Sequence, residues 1–408
     1  MRITDDTVDV QGGYRRMKYD FDTLINRTNT GSEKWDMMRE GGAELSPDIV
    51  PFSVADMEFK PAPELIEGLK KYLDQAVLGY TGATDAYYEA IIRFMERRHG
   101  FTPKKEWIVE SAGIVPALKQ MVAAFTEPGD SVMIMRPVYY PFTMAVEENK
   151  RKLIVSELLE KGDTYEIDFE DLEKKAALPE VKLLIFCSPH NPVGRVWTKE
   201  EILRVCDICL KNHVFIISDE IHFDIIMPGC QHISMGNLEK EYLNNCAICT
   251  APTKSFNIAG LQVSNLIIPN KEYRERITAP RGYYSLNIIS YKACELAYNN
   301  CEEWLDEMVL YVDGNRRFAE KFFAERLPMI RVFKLQGTYL LWLDCRALGM
   351  KAEELEKFMK TKAQLFLDEG YIFGESGRGY ERVNLACPRR VLEKALLRLE
   401  TAVKALEL

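Results

Sequence analysis

The run TAPTKSFNIAGLQ, residues 250–262, sets one lysine, Lys254, among small, hydroxyl and apolar residues. The stretches on either side, NNCAICTAP and LQVSNLIIP, have the character of buried strands. Lysine strongly prefers water, so this amine is either an ordinary loop charge or a reagent. Four other runs raise the same question. SAGIVPALK (111–119) places Ser111 and Gly113 where a strand turns into a helix. Free N–H groups at a helix N-terminus bind phosphate well; a capped helix with a permissive glycine is the plain alternative. RPVYYPF (136–142) puts Tyr139 and Tyr140 after the next strand, as core or as a face for a planar ring. CSPHNPVGR (187–195) carries turn chemistry that holds Asn191 at a strand end, unless the amide only serves its own turn. SDEIH (218–222) ends an apolar strand in Asp219 and Glu220, and a carboxylate there is costly unless it is paired or caps a loop.

Together these runs offer a phosphate cradle, an aromatic platform, an amide, a buried carboxylate and a lysine. Pyridoxal phosphate needs that set: the amine binds its aldehyde, and the carboxylate keeps the pyridine nitrogen protonated so that the ring accepts electrons. A lysine in a desolvated, partly cationic pocket has a lowered pKa and becomes a usable nucleophile and base.

Two CxxC pairs, Cys206/Cys209 and Cys246/Cys249, raise metal chemistry. KEEILRVCDICLKN has helical periodicity, so the first pair shares a helix face. CAICT is strand-like, so the second pair points to opposite faces. That is poor geometry for four tetrahedral ligands, and the thiols are expected to be small core residues.

The elements that must position these groups alternate. Strands are expected at WIVESA, SVMIMR, KLIVSEL, VKLLIFCSP and VFIISDE. Helices are expected at PAPELIEGLKKYLDQA, DAYYEAIIRFMERRHG, VPALKQMVAAF, YYPFTMAVEEN, DFEDLEKKAA and TKEEILRVCDICLKN. Continuous apolar strands between helices imply an α/β fold whose mainly parallel central sheet is covered on both faces. Functional groups should then gather at its carboxyl edge. After about residue 290 a long helical stretch, roughly 287–326, leads into RVFKL, TYLLWLDC, AEELEKFMKTK, RVNLA and a final helix. This is the pattern of a smaller α+β domain, completed by the N-terminal segment. The expected division is a loose extension at 1–16, a segment at 17–60 contributing to the small domain, a large domain at 61–290, and a linking helix and small domain at 291–408. No internal repeat or low-complexity segment is evident.

Composition bounds the rest. The 408 residues suggest two or three domains, and a net charge of −9 argues against nucleic acid or anionic membrane as partner. No apolar run is long enough to cross a bilayer, and the N-terminus lacks the apolar core of a secretory signal. Ten scattered cysteines suit a reducing cytoplasm.

The ordered set SAG, PVYYPF, SPHNPVGR, SDEIH, TKSFNIAGLQ and RVNLAC resembles the fold-type-I pyridoxal-phosphate enzymes of the aspartate aminotransferase superfamily, over about residues 18–408. Within it, NRTNTGSEKWD, PFSVADMEF, LGYTG, DEIHFDI, His232 and KSFNIAGL are most similar to the cystathionine β-lyase or cysteine-S-conjugate β-lyase branch. The resemblance implies that Lys254 is the catalytic lysine that carries the cofactor. Asp219 would pair with the pyridine nitrogen, Asn191 with the phenolic oxygen, and Tyr139 would stack on the ring. Gly113 and Ile114 would offer N–H groups to the phosphate and Thr253 a hydroxyl, while Tyr80 would reach it from the other subunit of a homodimer. Arg382 would clamp the substrate α-carboxylate, with Ala55 and Asp56 on the loop beside it. The Asn191–Pro192 bond is expected to be cis.

Departures from the family pattern also stand out. Ala251 and Gln262 replace a serine and an arginine that many relatives turn toward phosphate. His222 occupies the place of a tyrosine that contacts the phenolic oxygen in aminotransferases, and Ser53 that of a tryptophan common in the branch. The implied reaction is cleavage of cystathionine or a related cysteine S-conjugate to thiol, pyruvate and ammonia. Transamination is the alternative, and a regulatory, protein-binding role on the same fold is a third.

Overall fold

The computed structural model describes residues 17–40, 45, 46 and 48–406. The expected loose extension at 1–16 lies outside the described residues. Strands in chain order are β1 (Ile108–Ser111), β2 (Ser131–Arg136), β3 (Lys152–Glu157), β4 (Leu159–Lys161), β5 (Thr164–Glu166), β6 (Val181–Cys187), β7 (Phe215–Asp219), β8 (Cys246–Thr250), β9 (Ser264–Ile267), β10 (Arg331–Val332), β11 (Leu340–Asp344), β12 (Asp368–Glu369) and β13 (Tyr380–Asn384). A seven-stranded sheet has the order β1-β9-β8-β7-β6-β2-β3. The pairs from β8 through β3 are parallel; β9 is antiparallel to both of its neighbours, so β1 again runs with β8. The carboxyl ends of β1, β2, β6, β7 and β8 therefore share one edge.

These strands are apolar throughout because helices bury both faces. Alternate side chains enter two separate cores: Val132, Ile134, Leu183, Ile185 and Ile217 on one side, Met133, Met135, Leu184, Phe186 and Ile216 on the other. Cys249 joins the first group and Cys246 the second, as the period-two reading of CAICT requires. All ten cysteines are free thiols.

Each expected helix in the alternating region is present; those that bear on the site are α1 (Ile114–Phe125), α2 (Lys199–Lys211) and the one-turn α3 (Pro252–Ser255). The long stretch at 287–326 is two helices, α4 (Ile288–Asn300) and α5 (Glu302–Arg326), rather than one. The break falls at Cys301, with φ −116° and ψ 14°, after two asparagines whose side chains compete for backbone groups. RVFKL pairs only at Arg331 and Val332, in a four-stranded antiparallel sheet ordered β10-β11-β13-β12. The β4–β5 hairpin is additional to the expected strands, and the EKGDT sequence holds the turn glycine, Gly162 at φ 59°, that it needs. The N-terminal segment is laced to the small sheet. Phe52 N–H donates to the Phe366 carbonyl, Asn384 N–H to the Phe52 carbonyl, and Glu58 N–H to the Ala386 carbonyl.

Candidate active site

Lys254 sits on α3, just beyond the end of β8, rather than on the strand itself. Pro252, in the first turn, is pre-set for the helix. Ser255 anchors the turn: its hydroxyl donates to Asp224 Oδ2, and Asp224 Oδ1 lies 2.8 Å from His99 Nε2. Lys254 Nζ donates to the carbonyl of Ala55 at 2.6 Å. Burial, joined by the nearby Arg382 and opposed by Asp56, pulls the amine from 10.5 down to about 8.

Asp219 and Glu220 are adjacent, fully buried carboxylates with different surroundings. Glu220 accepts from Ser218 Oγ at 2.9 Å and the Met235 N–H at 3.0 Å, and lies 3.2 Å from His232 Nε2. Burial alone would raise its pKa, but these partners hold it below the usual carboxylate value. The motif's His232 is thus the counterpart of Glu220. Among the described residues the Asp219 carboxylate accepts only a long bond from the Ile221 N–H, 3.3 Å, and burial pushes it up to about 7. It is a desolvated carboxylate at the sheet edge with room for a cationic or N–H partner.

Asn191 lies in the turn after β6, and the Asn191–Pro192 bond is cis as expected, together with Arg136–Pro137 and Ser188–Pro189. The Asn191 carbonyl receives the Tyr139 N–H at 3.1 Å, which ties the aromatic to the amide. Its side-chain Oδ1 accepts from Arg382 Nη1 at 2.8 Å. Arg382, on β13, lies over the Phe373 ring at 4.8 Å, and its Nη2 donates to Asp368 Oδ2. Among the described residues the buried Nε of Arg382 has no hydrogen-bond partner. His222 is buried, its Nδ1 has no partner among the described residues, and burial, reinforced by Lys254 and Arg382, holds its pKa well below the ordinary value.

One cavity brings together Lys254, Asp219, Asn191, His222, Arg382 and Tyr139, with Ala55 on its wall. Asp368 and Cys187 also line it, and sequence reasoning missed both. Asp368 falls in TKAQLFLDEGYIF, where a two-residue strand leaves no periodic signal; Cys187 was visible as the end of a core strand. The remaining expected residues stand apart from the cavity wall. Gly113 caps α1 at φ 106°, with no side chain capping the helix, so the N-terminal N–H groups that include Ile114 are left for a ligand. Thr253 is half-buried beside Lys254. Asp56 is committed to Arg27, whose Nη2 lies 2.8 Å from Oδ2. Tyr80 is fully exposed.

The residues present fit pyridoxal phosphate. A depressed lysine, a buried carboxylate short of partners and an uncapped helix start match the amine, nitrogen and phosphate ends of that molecule in chemistry.

The sequence family described as aminotransferase class I and II matches residues 47–399. The chain belongs to this family. Members of the family similar to it include the cystathionine β-lyase PatB of Bacillus subtilis, 39% identical, with 94% of this chain and 99% of that protein covered. The crystal structure of cystalysin from Treponema denticola, which contains pyridoxal 5'-phosphate, is 49% identical with a TM-score of 0.94, over 96% of this chain and 100% of that one. The PLP-bound C–S lyase of Staphylococcus hominis is 32% identical with a TM-score of 0.87, over 95% and 100%. The fold is that of the family's fold-type-I enzymes, with a large, mainly parallel sheet and a smaller C-terminal domain.

Proposed function

We propose that the protein is a pyridoxal-phosphate-dependent carbon–sulfur β-lyase acting on cystathionine or related cysteine S-conjugates. The observation that carries this reading is the single cavity in which a lysine depressed to about 8 faces a buried aspartate and an arginine with an orphaned Nε. Similarity to lyases along nearly the whole chain supports the reaction class.

Bound there, pyridoxal phosphate supplies an electron sink for charge developing at substrate Cα. Lys254 would hold it through the amine, Asp219 would face its ring nitrogen, and the start of α1 with Thr253 would hold its phosphate. Tyr139 offers the ring face and Asn191 the amide. Arg382 binds the substrate α-carboxylate through Nε and Nη2, a charge-assisted fork that fixes orientation. The released, neutral Lys254 amine takes the proton from Cα. Overall, conjugate and water give thiol, pyruvate and ammonia.

Transamination uses the same residues up to removal of that proton, and the family's description makes it the second reading. Incubation with cystathionine, with and without a 2-oxo acid, separates them: the lyase needs none.

The homodimer belongs to this proposal. Tyr80, Val77 and Leu78 stand 101%, 87% and 69% exposed on one loop, more apolar surface than a solvent-facing loop normally shows. Residues 17–60 and 291–408 are assigned to the small domain and 61–290 to the large one. Among the described residues no helix is long and apolar enough to cross a membrane. The ten free cysteines support a cytoplasmic location.

A further inference from the structure

Arg382 is not idle while it waits for substrate. Its Nη2 holds Asp368, its cross-strand partner in the β12–β13 register. The same Asp368 oxygen accepts the Val54 N–H at 2.8 Å. Val54 is a β-branched residue at φ 57°, a conformation such residues adopt only when the surroundings impose it. Asn384 Nδ2 imposes it from the other side by donating to the carbonyls of Val54 and Asp56, each at 2.8 Å. Between them lies Ala55, whose carbonyl receives Lys254 Nζ and the Tyr339 hydroxyl. One short segment, Ser53–Met57, is therefore fastened to both the lysine and, through Asp368, the arginine.

We propose that Asp368 stands in for the substrate α-carboxylate at Arg382, and that substrate binding exchanges one carboxylate for the other, freeing the Ser53–Met57 segment at its Val54 end. The inference rests on the reading of Arg382 as the carboxylate site. Two features favour exchange over a permanent pair. The adjacent Nε is buried without a partner, so a carboxylate bridging Nε and Nη2 satisfies the donor that Asp368 leaves orphaned. The segment that Asp368 restrains carries a strained residue, so release is downhill for the backbone. Asp368 is then a positioning residue that sets how strongly a carboxylate must compete to enter.

The test uses the cofactor-loaded protein with cystathionine as substrate and propionate as a carboxylate probe. Asp368→Asn keeps shape and removes the competing charge. The expected result is a KM and a propionate inhibition constant each lowered by at least about threefold, because the variant no longer has to vacate its own site, with kcat changed less than KM. Propionate should also speed amide exchange at Val54 in the wild type, whereas in Asp368→Ala, which offers no oxygen to the Val54 N–H, that amide already exchanges fast. Raised KM and raised inhibition constant in Asp368→Asn, with Val54 exchange indifferent to propionate, would show a fixed buttress and overturn the proposal. Failure of the lyase reading is distinguishable: it appears as no pyruvate from any variant while propionate still loosens Val54.

Discussion

At the residue scale the clearest lesson is the contrast between Asp219 and Glu220. Neighbouring carboxylates of equal burial differ because one has three partners and the other a single long bond. The sequence could place both at a strand tip but could not tell which was satisfied, since two of the three partners of Glu220, His232 and the Met235 N–H, lie a dozen or more residues on. Asp219→Asn should keep the fold and lower the rate of Cα proton removal by roughly 100-fold or more, the scale of losing one preorganised charge; deuterium exchange at Cα of a bound amino acid measures it. For Lys254 the sign is set by burial. Its pKa falls on folding from 10.5 to about 8, so the native state binds that proton more weakly; stability is lost as pH falls from 10.5 to about 8 and stays at that lower level below it. In the cofactor-free protein, Lys254→Met should be more stable than the wild type by about 1–2 kcal/mol at pH 7. Chemical denaturation should show the gap closing as pH rises toward 10.5, the unfolded value.

At the element scale, what was legible was what periodicity and turn chemistry encode. Apolar runs located every strand of the large sheet except for exact ends, and the mainly parallel arrangement followed from the alternation with helices. The two-residue β12 is too short to leave a periodic signal, and the break at Cys301 and the β4–β5 hairpin leave only local ones, the paired asparagines before Cys301 and Gly162. Arg382 was found through its motif; Asp368, opposite it in the sheet, was not. Gly113 is the element-scale test of the site. At φ 106° it begins α1 in a conformation closed to other residues. Gly113→Ala should cost about 1 kcal/mol or more in stability through strain alone, and should weaken cofactor retention by turning the helix start away from the phosphate. Melting and absorbance titration with pyridoxal phosphate read the two effects separately; unchanged affinity would remove α1 from the phosphate site.

For the whole molecule, the carboxyl edge of the large sheet supplies Asp219, Asn191 and Lys254, while the small sheet supplies Arg382 and Asp368. The N-terminal segment closes the space between them through Ala55. That shared construction explains why the site was visible in the sequence only as an ordered set: no single run contains more than a part of it. Tyr80 extends the argument to a second copy. Tyr80→Phe should leave the proposed homodimer intact by sedimentation and weaken cofactor binding about tenfold, the loss of one hydrogen bond to a charged group. A monomeric wild type would remove Tyr80 from the site.

The most direct measurement is product analysis of the purified, cofactor-loaded protein given cystathionine alone. Thiol, pyruvate and ammonia should appear in equal amounts over many turnovers with no 2-oxo acid added, and Lys254→Ala should abolish all three. Turnover that stops after one equivalent and resumes only when a 2-oxo acid is supplied would contradict the account and make the protein an aminotransferase.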